Sequence, residues 1–115
     1  MKILYFLILI FLVGFSFNYL CAKPDLAGKD LFYNLKSKNR TCNTCHTNGG
    51  SAGRWDAVNQ AIDPDEGKKI PVLKGISKRK NPEQIERSIE LMKKMFGFKL
   101  TDEQMEDLTD YVGTL

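Results

Sequence analysis

Beyond residue 23, apolar side chains recur at steps of three and four in three stretches, and no alternating run bounded by hairpin signals stands out. The first stretch predicts a helix over Leu26 to Ser37. Leu31, Phe32 and Leu35 share one side, Asp25 is the expected N-cap, and Pro24 precedes it. The second begins at "NPEQ". Asn81 can cap, Pro82 suits the first helical position, and Gln84 can reach back as in a capping box. Ile85, Ile89, Met92 and Phe96 then form a stripe, and Gly97 is the expected stop. The third opens at "TDEQ", with Thr101 as cap, Gln104 three later, and Asp102 and Glu103 at the positive end of the helix dipole. Its apolar face holds Met105, Leu108, Tyr111, Val112 and Leu115. Residues 47–80 read mostly as loop, with a short helix expected in "RWDAVNQAI". A loop that long in a compact domain implies something for it to wrap. The pattern predicts an all-α domain of three main helices and long loops.

The N-terminus follows another rule. Lys2 is the only charge before Lys23, and "ILYFLILIFLVGF" runs almost unbroken between them. A positive start, an apolar core and a small residue at a plausible cleavage point describe a secretory signal, cut after Ala22. The competing readings are an uncleaved membrane anchor, since about 20 apolar residues suffice to span a bilayer, and lipidation at Cys21. Each places the functional domain outside the cytoplasm, with residues 1–22 as signal and 23–115 as the domain.

Cleavage changes the composition that matters. Removing 22 of 115 residues leaves 93, and the formal charge of +3 loses Lys2. Of three cysteines, Cys42 and Cys45 remain, beside the single histidine, His46. A chain this short buries a modest core and often needs a metal, disulfide or cofactor to supplement it.

"CNTCH" supplies a candidate. Cys-x-x-Cys-His reads as an attachment site for c-type haem. Thiols at i and i+3 face the same way across one helical turn and can add to two vinyl groups on one porphyrin edge, while the next residue's imidazole reaches the iron. The competitors are a zinc site, which lacks a fourth Cys or His ligand and would need a carboxylate, a dithiol redox site, which lacks its usual βαβ context, and an incidental disulfide. The bound haem would also be the body around which the long loop folds.

With these residues in view the chain resembles a class I cytochrome c, a small secreted single-haem electron carrier. "AGKDLFYNL" resembles the family's N-terminal helix, with Gly28 and Phe32 meeting the C-terminal helix. "LTDEQMEDLTDYVGTL" resembles that helix, with Leu108 and Tyr111 as packing partners. "IPVLKGI" resembles the loop whose proline carbonyl accepts a hydrogen bond from the proximal histidine. The resemblance implies that role for Pro71, and Leu73 as a haem-lining side chain. "GRWDAVNQAIDPDEG" departs from the pattern and reads as an insertion, in which Trp55 and Arg54 are candidates to contact a haem propionate.

The resemblance also implies a methionine as sixth ligand, ahead of the last helix. Met105 lies on an apolar helix face and reads as core; Met92 continues the Ile85–Ile89 stripe. Met95 lies about 80° off that stripe at 100° per residue, and its spacing to "LTDEQ" resembles the family, so Met95 is the first candidate and Met92 the alternative. No proline follows Met95, unlike many members.

The implied function is electron transfer by one haem c per chain, without enzymatic activity. The alternative is a haem subunit of an oxidoreductase complex, or a five-coordinate haem protein that binds a small ligand. The expected location is the periplasm, with a membrane contact only if the N-terminal segment is retained. Lys68, Lys69, Lys74, Lys78, Arg79 and Lys80 form a basic segment suited to docking acidic redox partners. It lacks interleaved aromatics, so nucleic acid is not an expected partner.

Overall fold

A computed structural model describes residues 24–115. The secretory-signal expectation lies outside the described residues. Helix α1 spans Pro24–Asn34, α2 Cys42–Cys45, α3 Pro82–Phe96 and α4 Asp102–Gly113, with single 3-10 turns at Thr47–Gly49 and Ile76–Lys78. Among the described residues, no helix is long and apolar enough to cross a membrane.

The two C-terminal helices begin where their caps require. Asn81 accepts from the backbone N–H of Gln84 at 2.9 Å, and the Gln84 side chain accepts from the Asn81 N–H at 2.9 Å. Thr101 and Gln104 repeat this exchange at 3.2 and 3.0 Å. Each cap of this kind contributes about 1 kcal/mol. Gly97, at φ 73°, ends α3 in the left-handed conformation that a side chain disfavours. Helix α1 starts at Pro24, ahead of the expected cap Asp25, because proline has no N–H to lose at a first helical position. It stops at Asn34, short of Ser37, where the chain turns back and Ser37 and Arg40 bridge.

The core lies between α1, α3 and α4. Phe32 and Leu108 are each 1% exposed, and Leu31, Ile76, Ile85, Ile89, Met105 and Val112 complete it. Helices α1 and α4 cross closely because Gly28 has no side chain. A Cβ there would meet the Asp107 carbonyl oxygen and lie 2.5 Å from Tyr111 Cβ. Phe32 meets Tyr111 edge-on, ring centroids 5.6 Å apart.

The stretch expected to form a short helix forms strands. Arg54–Asp56 (β1) pairs antiparallel with Ala61–Asp63 (β2) and with Lys68–Lys69 (β3), in the order β2-β1-β3. Asp56 turns the chain, its carboxylate accepting from the N–H groups of Val58 and Asn59 at 2.9 and 3.2 Å, which favours a turn over helix continuation. Trp55 anchors this sheet to the end of α3, edge-on to Phe96 at 5.1 Å. The fold is therefore mostly helical with a small added sheet.

Candidate haem site

Thr41 starts the helical turn that carries both thiols. Its hydroxyl accepts from the Thr44 N–H at 3.3 Å, and the Thr44 hydroxyl accepts from the Thr41 N–H at 3.0 Å. Cys42 and Cys45 are thus presented from one turn. Both are free thiols and half-buried. Burial pushes the Cys42 thiol up to about 11, and burial also raises Cys45, opposed by the charge of Arg40.

His46 follows directly. Its Nδ1–H donates to the Pro71 carbonyl at 2.9 Å. That bond sets the tautomer and leaves Nε2 as the free ring nitrogen. Burial lowers the pKa of His46, so the ring favours the neutral form that ligates a metal, while its hydrogen bonds to the Pro71 and Gly50 backbone act in the opposite direction. Loop 71–74 is held against the motif by backbone bonds. The N–H groups of Leu73 and Lys74 both donate to the Gly49 carbonyl, at 2.8 and 2.9 Å. Arg79 ties the same loop from outside, donating to the carbonyls of Val72 at 2.8 Å and Lys74 at 3.3 Å. Tyr33 fastens α1 to the turn after His46 through the Asn48 side chain, at 3.1 Å.

In front of His46 opens a largely apolar cavity whose walls include Phe32, Leu73, Ile85, Ile89, Leu108 and Val112. Cys42, His46 and Pro71 lie on one wall, and Met92 of α3 also faces the cavity. A smaller pocket continues past Cys45, bounded by Arg40, Phe96 and Phe98, and Met92 and His46 line it too. The sequence-predicted residues Cys42, Cys45, His46, Pro71, Leu73, Phe32 and Met92 are therefore brought together.

Three candidates are placed elsewhere. Met95 is 55% exposed and lines a separate surface depression. Helical geometry is the reason. Helix α3 continues unbroken to Phe96, so Met95 stays off the Ile85–Ile89–Met92 side rather than turning inward. Trp55 lines that same depression, because the β-sheet carries it against Phe96. Arg54 is exposed and donates to the Gly67 carbonyl at 3.1 Å. Arg79 and Lys80, read in the sequence only as part of a basic run, instead border the main cavity, with Lys80 Nζ 3.0 Å from Ser88 Oγ.

The donor set fits one group. Two free thiols on one turn, an imidazole with its Nδ1 already engaged, and a largely apolar cavity suit a covalently attached haem. They suit zinc poorly, since among the described residues no three His, Cys, Asp or Glu side chains are disposed to hold a metal ion. The cytochrome c family model matches residues 26–115. The chain belongs to the cytochrome c family. Membership implies covalently bound haem c and haem-based electron transfer. Comparison with curated proteins and with solved structures returned no match.

Within this cytochrome, the motif was the strongest signal in the sequence. What sequence reasoning left open was the course of α3 past Met92 and Met95, which sets the side of the helix each methionine occupies. The signal was present in Gly97. A helix that runs to a glycine stop keeps Met92 on the buried stripe and Met95 off it.

Proposed function

We propose that this cytochrome is a class I, single-haem electron carrier that works in the periplasm. Cys42 and Cys45 would hold the haem through thioether bonds, and His46 Nε2 and Met92 would be its protein ligands. The observation that carries this reading is the cavity shared by His46 and Met92, with the ring of His46 fixed by the Pro71 carbonyl. One Cys-x-x-Cys-His motif in the chain supports one haem per chain. The positive start and apolar run at the N-terminus support export.

When bound, the haem supplies one-electron exchange between Fe(II) and Fe(III). The protein's own groups set the conditions for it. Pro71 orients the imidazole and raises its basicity. A thioether ligand from Met92 would favour the reduced state. Phe32, Leu73, Ile85, Ile89, Leu108 and Val112 exclude water and keep the dielectric low.

The test is the visible to near-infrared spectrum of the holoprotein and of Met92→Ala, made in a host with cytochrome c maturation machinery. Low-spin bands that survive acid–acetone extraction, with the weak Met–Fe(III) charge-transfer band, are expected for the parent protein and loss of that band for the variant. A high-spin parent spectrum would overturn the carrier reading in favour of a ligand-binding haem protein. Retention of the band in Met92→Ala would return the role to Met95.

A further inference from the structure

Helix α1 ends at Asn34, and the chain reverses before Thr41 starts the turn that carries the thiols. The reversal takes two residues. The Ser37 N–H donates to the Arg40 carbonyl at 2.8 Å, and the Arg40 N–H donates to the Ser37 carbonyl at 3.0 Å. Between them Lys38 and Asn39 have φ of 48° and 64°. Left-handed backbone at both central positions belongs to the tightest hairpin link, and it is strained for a lysine. Such strain persists where surrounding contacts fix the turn. Ser37 supplies one from a distance, its hydroxyl donating to the Phe96 carbonyl at the end of α3. That carbonyl is among the last four of the helix, which have no partner within it. Among the described residues, this is the one hydrogen bond between α3 and any residue before Lys80. Both of its ends lie next to the haem site. Ser37 stands five residues before Cys42, and Phe96 follows Met92 by about one helical turn. Cys42, Cys45, His46, Met92 and Phe96 border one pocket.

We propose that Ser37 is a positioning residue for Met92: its hydroxyl ties the last turn of α3 to the attachment motif and so holds the methionine on the side from which it would meet the iron. The proposal rests on the reading of Met92 as a haem ligand given above. Ligands on two separate segments need a fixed span between them. The His46 side is fixed by the Pro71 carbonyl. Helix α3 is fixed at its start by the Asn81 cap, far from Met92, and at its end by Ser37, close to it. Ile85 and Ile89 hold α3 in the core, but apolar contact is non-directional and resists rotation about the helix axis weakly. A hydrogen bond is directional, so the Ser37 hydroxyl sets how far α3 is turned.

The test titrates the oxidised holoprotein with imidazole, which competes with a thioether for ferric iron, and follows loss of the near-infrared methionine band. The Ser37 bond favours the state with Met92 seated, so removing it shifts the exchange toward imidazole by what the bond contributes. Ser37→Ala should lower the imidazole midpoint about five- to tenfold. Ser37→Thr should restore the parent value, whereas Ser37→Val, of the same shape without the hydroxyl, should not. Asn81→Ala weakens α3 at its far end and should leave the midpoint within about twofold of the parent. A midpoint within about twofold of the parent in Ser37→Ala, an equal fall in Asn81→Ala, or threonine and valine variants that behave alike would each overturn the proposal. The parent spectrum separates the two levels of inference. A parent that shows the band, with Ser37 variants that titrate as it does, loses only the positioning role. A parent without the band loses Met92 as a ligand, and this proposal with it.

Discussion

Gly28→Ala is the sharpest test of how the fold closes. The added Cβ would meet the Asp107 carbonyl oxygen, Tyr111 Cβ at 2.5 Å and the Asp107 carbonyl carbon at 2.9 Å. The distance to Tyr111 Cβ falls about 0.9 Å short of the 3.4 Å at which ordinary contact begins. All three atoms are rigid parts of α4, so no rotamer change relieves the clash and the helix itself must move. That shift opens the contact around Phe32 and Leu108, the two side chains that are 1% exposed. Overpacking of this kind costs about 1–3 kcal/mol, and the loosened core adds about 1–2 kcal/mol more. Alanine's better helix propensity returns about 1 kcal/mol. The net is about 1–4 kcal/mol, or a fall in Tm of about 4 °C or more for a chain of this size. Thermal unfolding of the holoprotein by far-UV circular dichroism measures it, and the covalent haem absorbance confirms that cofactor content is equal. A Tm within about 2 °C of the parent, or one raised as propensity alone would require, would refute the close-crossing argument.

Other perturbations separate the remaining parts of the structure. Met92→Ala should lower the reduction potential strongly and abolish the near-infrared methionine band, whereas Met95→Ala should leave both as in the parent; voltammetry and the spectrum read this out. Trp55→Ala removes the ring between Arg40 and Phe96 and should destabilise the fold by about 2 kcal/mol without altering the haem bands, since Trp55 stands off the haem cavity; denaturant titration checks the first and absorption the second. Asn81→Ala loses the side-chain acceptor for the Gln84 N–H at the start of α3 and should cost about 1 kcal/mol, with Asn81→Asp largely restoring it. Arg79→Gln frees the Val72 and Lys74 carbonyls, so the Pro71–His46 bond should weaken and the ring resonances of the low-spin haem should broaden in the proton spectrum.

The helices were legible where local chemistry is complete in itself. Asn81 with Gln84, and Thr101 with Gln104, carry their own hydrogen-bond partners three residues away, so both starts could be read from the chain alone. Gly28 was legible only beside Phe32 and Tyr111, as part of a family pattern, because the close approach it permits joins distant parts of the chain. The three strands were not legible. They are two or three residues long, too short to show alternation, and β1 is completed by β3 across a turn that local propensity does not encode. Trp55 was read toward the haem for the same reason. Its position follows from the pairing of Arg54–Asp56 with residues on both sides, not from its own neighbours. The attachment motif needed no tertiary information, since one helical turn is enough to align its thiols.

The crossing of α1 on α4 also bears on the order of assembly. Gly28 and Asp107 lie 79 positions apart, and joining them closes a loop that contains the whole Cys42–His46 segment. Closing a flexible loop of that length costs about 4 kcal/mol of chain entropy before any contact compensates it. Pairing of the terminal helices is thus a non-local event, and it slows folding relative to a bundle of adjacent helices. Afterwards Phe32 and Leu108 stand as the back wall of the cavity that Cys42 borders. The same contact that completes the core therefore also completes one wall of the haem cavity.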